Sequence, residues 1–313
     1  MKYKLSIISA CYNEAENVVE LVDRITKVMS EEENYDYEII FSDNDSTDGT
    51  QEILRELAAA DKRIKVILNN RNYGPRRSPK NAAKHATGDT ALFIPSDLQD
   101  PPEMIPQFLR AWEEGYKLVY GQKIASDEGF IKYRLRSLFY GIINHFSEKP
   151  QYKHISGICL NDMIVLKEML SADDDAEFRF LLPELGYPVK LIPYKQNKRK
   201  HGESSYNLKR YYSFAMESMI STTTAPLRVA TIFGLFIALV CFIIAICYLV
   251  YKLIYWDEFA VGTAPLVIGI FFIGAVQLVF IGLVGEYVGA ILKKVTKQMP
   301  LIEKELINFD VEA

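Results

Sequence analysis

Three clusters of oxygen-bearing side chains, each directly after a short apolar run, are where this sequence could do chemistry. Leu5–Ser9 leads into Cys11-Tyr12-Asn13-Glu14, and Glu38–Ser42 leads into Asp43-Asn44-Asp45-Ser46-Thr47-Asp48-Gly49-Thr50. Thr90–Pro95 leads into Ser96-Asp97-Leu98-Gln99-Asp100-Pro101-Pro102-Glu103. Grouped carboxylates such as Glu14, Asp43 and Asp45 can accept hydrogen bonds from a nucleobase N–H or from ribose hydroxyls. Asp97 and Gln99, two positions apart, offer hard oxygen ligands suited to Mg²⁺ or Mn²⁺ bridging a diphosphate. The same Asp and Ser residues also read as caps of the helices that follow, and Pro101 as a helix start. Spacing alone leaves both readings open.

Such clusters need a scaffold that brings strand ends together. The pattern predicts strands at Leu5–Ser9, Glu38–Ser42, Ile64–Asn69 and Thr90–Pro95, with helices at Ala15–Met29, Gly49–Ala60 and Pro79–Ala86 between them. This β-α alternation predicts an α/β fold with a mostly parallel, Rossmann-like sheet covered on both faces and ligands at the carboxyl ends of its strands. Further along, Leu208, Tyr211, Tyr212, Ala215, Met216, Met219 and Ile220 form an apolar stripe opposite Lys209 and Arg210. Just before a long apolar run, that stripe reads as an interfacial helix, with an ordinary packing helix as the alternative.

Of 313 residues, 49% are hydrophobic and 24% charged, which excludes a disordered or collagen-like chain. The net charge of −4 provides no global basic field, so nucleic acid is not an expected partner. Cys11, Cys159, Cys241 and Cys247 include no CxxC pair, which argues against a zinc site or disulfide framework. A mean hydropathy of +0.01 averages a polar N-terminal part with a much more apolar C-terminal third. There, 229–251 and 259–285 are uncharged runs of 23 and 27 residues. The shorter is about 34 Å long as a helix, against a hydrocarbon core of about 30 Å. The short link Lys252–Glu258 makes the two a hairpin, and Arg228, Lys293, Lys294 and Lys297 place its outer ends in the cytoplasm. No charged segment followed by an apolar run opens the chain, so no signal peptide is expected. The expected organisation is a cytoplasmic catalytic domain at 1–205, a juxtamembrane amphipathic region at 206–227, two transmembrane helices within 228–292, and a cytoplasmic C-terminal tail at 293–313.

The motifs YNE at Tyr12–Glu14, STDGT at Ser46–Thr50, DLQDPPE at Asp97–Glu103, WEEGY at Trp112–Tyr116, LFY at Leu138–Tyr140, HGES at His201–Ser204, TAPLR at Thr224–Arg228 and GEYVG at Gly285–Gly289 carry a further signal. With them the chain resembles, over nearly its full length, family 2 glycosyltransferases of the GT-A fold. The likeness is to the polyprenyl-phosphate type with two C-terminal membrane helices, similar to bactoprenol glucosyltransferases and dolichyl-phosphate mannose synthases. The resemblance implies that Tyr12, Glu14, Asp43 and Asp45 hold a nucleotide, most simply uridine, and that Asp97 and Gln99 face the metal and diphosphate. It implies that Arg199 binds phosphate, and that Lys123, Arg134 and Ser137, together with Arg199, grip the acceptor phosphate. Each of these basic residues also reads as a solvated surface charge.

The chain departs from the family pattern at several points. Pro95 replaces the first acid of the Asp-x-Asp triplet, Gly74-Pro75-Arg76-Arg77 replaces a more acidic turn, and Ser156-Gly157-Ile158-Cys159 lacks an acid that some relatives carry. A phosphate acceptor is already anionic at pH 7, so no dedicated base is required, and direct displacement with inversion is expected. The implied partners are a nucleotide-sugar donor, polyprenyl (undecaprenyl) phosphate and membrane lipid, in the bacterial inner membrane. Gly285 and Gly289 have the small-residue spacing of packed helices, which also admits a homo-oligomer. The competing readings are transfer to another membrane lipid or glycan, and a catalytically silent nucleotide-sugar-binding membrane protein.

Overall fold

The computed structural model describes residues 2–125, 152, 155–171, 178–197, 225–254, 263–296 and 299–309. The first unit is built on strands β1 (Tyr3–Cys11), β2 (Tyr35–Asp43), β3 (Ile64–Asn69), β4 (Thr90–Phe93), β5 (Leu118–Ala125), β6 (Ile155–Asp162), β7 (Val189–Lys195) and β8 (Glu303–Ile307). They form one eight-stranded sheet in the order β7-β5-β6-β4-β1-β2-β3-β8. β1 pairs parallel with β2 and β4, β2 with β3, and β5 with β7, whereas β6 runs antiparallel to β4 and β5, and β8 antiparallel to β3.

Residue alternation along the strands sorts side chains between two cores, as a period of two requires. Leu5, Ile7, Ile39, Phe41, Val66 and Leu68 face one layer, with Val18, Leu21 and Ile25 of α1 (Ala15–Ser30), Leu54 and Ala58 of α2 (Thr50–Ala60), and Phe108 and Leu109 of α4 (Ile105–Glu113). Ile8, Ile40, Ile67 and Phe93 face the other, with Ala82 and Ala83 of α3 (Gly74–Lys84), Val165, Leu166 and Met169 of α5 (Met163–Ser171), and Leu182 of α6 (Phe178–Leu185). The expected sheet covered on both faces is present.

Two elements differ from the sequence reading. α3 starts at Gly74, where Pro75 occupies the first turn, and so carries Pro79 inside the helix rather than at its start. The C-terminal segment is more than a tail, because β8 completes the sheet edge. Asn308 Nδ2 donates to Ala58 O at 2.6 Å and Ile64 O at 2.8 Å, and the Arg55 guanidinium lies 2.9 Å from Glu305. Glu303 accepts from Asn81 and pairs with His85 Nε2 at 2.7 Å.

The second unit contains α7 (Ala225–Ile254) and α8 (Thr263–Val295). Both carry apolar side chains outward, with Ile232 68% and Leu278 71% exposed. Phe272–Gly289 in α8 is long and apolar enough to cross a membrane, and the described apolar stretch of α7 runs Val229–Ile244. The expected interfacial helix at 208–220 lies outside the described residues.

Candidate active site

β1, β2 and β4 are neighbours in the sheet, so the three acidic clusters at their carboxyl ends converge. Backbone bonds tie them together. Asn44 N–H donates to Cys11 O at 2.9 Å, and Ile94 N–H to Ile8 O at 2.9 Å. Ser96 Oγ lies 2.8 Å from Ser9 Oγ and donates to Ala10 O at 3.0 Å. Ser96 is buried, and these bonds turn its hydroxyl into the sheet. Asp97 and Gln99 on the β4 loop are both partly exposed, and the Gln99 amide reaches the β7 exit, its Nε2 donating to Asn197 O and its Oε1 accepting from Gln196 Nε2, each at 3.5 Å.

On the β1–β2 side, Asn13 (φ 56°) and Asp45 (φ 60°) adopt left-handed conformations that turn the chain sharply, as their short polar side chains permit. Asn13 Oδ1 accepts Thr47 N–H at 2.9 Å, and its own N–H donates to Ser46 Oγ at 2.9 Å, which locks the two loops together. Asp48 joins them again by accepting from Ala15 N–H and Thr50 N–H, each at 3.1 Å, so one carboxylate caps α1 and α2. Burial pushes its pKa up, but the bonds from Thr50 and Ala15 outweigh that and hold it below the usual carboxylate value.

Sequence reasoning places Tyr12, Glu14, Asp43 and Asp45 on a nucleotide, and the fold gathers all four at these loops. Tyr12 is 47% exposed, with its ring available for stacking. Glu14 is buried and accepts from Asn17 Nδ2 at 2.5 Å, while Asp45 is partly exposed. Asp43 is fully buried and braces its own loop: Ser46 N–H and Gln51 Nε2 donate to Oδ2 at 3.0 Å each, and Ser46 Oγ donates to Oδ1. Glu14 and Asp43 both raise the pKa of the Cys11 thiol, after burial as the main cause, so the two acids lie close around β1.

At the β4 end, Asp97 Oδ1 accepts the Gln99 N–H at 3.2 Å; among the described residues Oδ2 has no hydrogen-bond partner. Gln99 O accepts Asn197 N–H at 2.9 Å, which fixes the exit of β7 two residues before Arg199. Asp100 is almost fully buried, and burial raises its carboxyl pKa, aided by the charge of Asp97 and opposed by Lys123, the Tyr194 hydroxyl and the Ile158 N–H. Thus Asp97, Asp100, Lys123 and Tyr194 share one electrostatic neighbourhood. The sequence reading singled out neither Asp100 nor Tyr194. Arg134, Ser137 and Arg199 lie outside the described residues.

This donor set suits a divalent cation bound together with a diphosphate. Asp97 and Gln99 offer one carboxylate oxygen and one amide oxygen, and such ions complete their shells with phosphate oxygens and water. The described rim is otherwise rich in acids that would repel a bare diphosphate. Ser96, turned inward, does not replace the carboxylate absent at Pro95.

The chain is similar to known proteins along nearly its whole length. The chain is 28% identical over 304 residues to the bactoprenol glucosyl transferase of Shigella phage SfII, covering 96% of this chain and 98% of that one. It is 27% identical over 305 residues to the prophage bactoprenol glucosyl transferase homolog of Escherichia coli (strain K12), covering 97% and 99%. Among solved structures, the mannosyltransferase PcManGT from Pyrobaculum calidifontis, in complex with GDP-Man and Mn²⁺, aligns with a TM-score of 0.49 and 15% identity over 70% of this chain and 63% of that one. The GtrB C-terminal hairpin profile matches residues 225–291. The Glycosyl transferase family 2 profile matches residues 6–173, more than half of the chain, and the chain belongs to that family.

Proposed function

We propose that this glycosyltransferase moves a sugar from a nucleotide diphosphate donor, UDP-linked, to polyprenyl phosphate at the membrane surface, with inversion at the anomeric carbon. The observation that carries the reading is the alignment with a bactoprenol glucosyl transferase along essentially the whole of both chains, hairpin included.

In this reading Tyr12 stacks on the base, Glu14 and Asp45 accept from the nucleoside, and Asp43 holds the loop that presents them. A divalent cation, Mg²⁺ or Mn²⁺, held by Asp97 and Gln99 would neutralise charge on the departing diphosphate. Lys123 acts at the same strand ends, and Arg134, Ser137 and Arg199 complete the grip on the acceptor phosphate. That phosphate has a second pKa near 6, so it brings its own anionic nucleophile, and the site supplies alignment and charge neutralisation.

The lipid substrate explains the hairpin. Strand β8 belongs to the same sheet as β1–β7, so any membrane crossings between 206 and 298 are even in number. Two spans, near 229–251 and 259–285, satisfy this, and their basic flanks favour a cytoplasmic location for both outer ends.

A labelled transfer assay tests the reading. Purified protein should move sugar from a UDP-sugar into an organic-extractable product that mild acid releases, as expected of a glycosyl phosphate. An acid-stable sugar lipid would instead favour another lipid acceptor, and no transfer with intact nucleotide-sugar binding would favour a silent binder.

A further inference from the structure

The loop carrying Asp97 and Gln99 is held in a conformation its sequence does not favour. Leu98 between them has φ 57° with its side chain only 2% exposed. A left-handed residue other than glycine is strained and persists only where its surroundings over-determine it. Here they do. The Leu98 side chain is anchored in the core on the α1 face of the sheet, and the backbone of Gln99 is bonded to Asn197. The next residue, Asp100, is 1% exposed and takes the Tyr194 hydroxyl on Oδ1 at 2.5 Å.

Gly157 on β6 completes the clamp. Its φ is 82°, and a Cβ built there would stand 1.9 Å from Asp100 Oδ2, so the carboxylate lies flush against bare backbone. Ile158 N–H also donates to this carboxylate. Burial, then the Asp100 charge, pushes the Tyr194 pKa far upward, so its hydroxyl remains a donor. The loop is therefore fastened to β6 through Gly157 and Ile158, and to β7 through Tyr194.

We infer that the Tyr194–Asp100 pair, seated on Gly157, is a positioning device that fixes the backbone of the Asp97-Leu98-Gln99 turn, so that Asp97 and, on release from its long contact with Gln196, Gln99 are presented to a divalent cation. The inference rests on the reading of Asp97 and Gln99 as metal ligands. Tyr194 and Asp100 act through the loop and do not touch the ion.

The test uses the full-length protein in detergent and follows Mn²⁺ binding in the presence of UDP by the loss of the free Mn²⁺ resonance. Metal-free UDP binding by calorimetry and thermal unfolding run alongside. Tyr194→Phe removes one donor to a buried carboxylate and should weaken Mn²⁺ binding about 5- to 10-fold while metal-free UDP affinity stays within twofold. Gly157→Ala displaces the same carboxylate by steric contact and should show the same selective loss, which covers the case of an unfolded Tyr194→Phe protein. Unchanged Mn²⁺ affinity in a folded variant would overturn the inference, as would an equal fall in Mn²⁺ and metal-free UDP affinity. Asp97→Asn separates the two levels. If it leaves Mn²⁺ binding intact, the ligand assignment fails. If it abolishes binding while Tyr194→Phe and Gly157→Ala bind normally, only the positioning role fails.

Discussion

Replacing Glu38 by Gln should destabilise the α/β unit in a way that disappears in acid. Glu38 is 2% exposed on β2. Ser6 Oγ and Thr87 N–H donate to Oε1 at 2.6 and 2.8 Å, and Lys65 Nζ and Lys4 Nζ lie 2.9 and 3.2 Å from Oε2. Burial alone would raise its pKa, but the bonds from Ser6, Lys65 and Thr87 reverse this and lower it from 4.5 to about 2. At about 1.36 kcal/mol per pH unit, that difference corresponds to about 3 kcal/mol of folding stability. The folded-state pKa is depressed, so the stabilisation is complete above about pH 4.5 and is lost as the pH falls toward 2. For a unit of this size each kcal/mol moves Tm by roughly 2–4 °C. At pH 7 Glu38→Gln should therefore melt roughly 6–12 °C below the parent. Scanning calorimetry of both proteins from pH 7 to pH 3 should show the gap shrinking by more than half. A gap absent at pH 7, or constant down to pH 3, would refute the reasoning.

Asp97→Asn should reduce turnover at least about 100-fold with an unchanged melting curve, because it removes the carboxylate proposed to hold the cation; initial rates and calorimetry check both parts. Asp48→Ala leaves two helix N-termini uncapped and should cost about 1–2 kcal/mol, read as a fall in the denaturant midpoint. Asn308→Ala strips both hydrogen bonds that pin the end of β8 to Ala58 and Ile64, and should cost about 1–3 kcal/mol. In that variant, hydrogen exchange should rise first along the β3 edge.

The β-α alternation was legible because buried parallel strands are apolar runs, and each observed strand from β1 to β4 overlaps its expected range. β8 was not legible. Glu-Lys-Glu-Leu-Ile reads as solvent-facing because an edge strand keeps much of its surface in water, and its partner β3 is over 230 residues away in sequence. The start of α3 was displaced because Pro79 resembles a first-turn proline, while Gly74-Pro75 supplies the actual start. At the site, residue type marked the acids but not how deeply each is buried or what it bonds to. Asp43 and Asp97 look alike in sequence, yet one is fully buried bracing a loop and the other turns an oxygen outward. Asp100 and Tyr194 meet across 94 residues, a contact no local pattern reports. The one local hint was Gly157, since a glycine inside a strand often marks a close approach.

The most direct measurement is the mass of the lipid product. Purified protein is incubated with undecaprenyl phosphate, Mg²⁺ or Mn²⁺, and a panel of UDP- and GDP-sugars, and the extracted lipid is read by mass spectrometry. Addition of one sugar mass to the lipid phosphate from a UDP-sugar, lost with Asp97→Asn, is the predicted result. An unmodified lipid phosphate with every donor, from protein that still binds nucleotide sugar, would contradict transfer to polyprenyl phosphate.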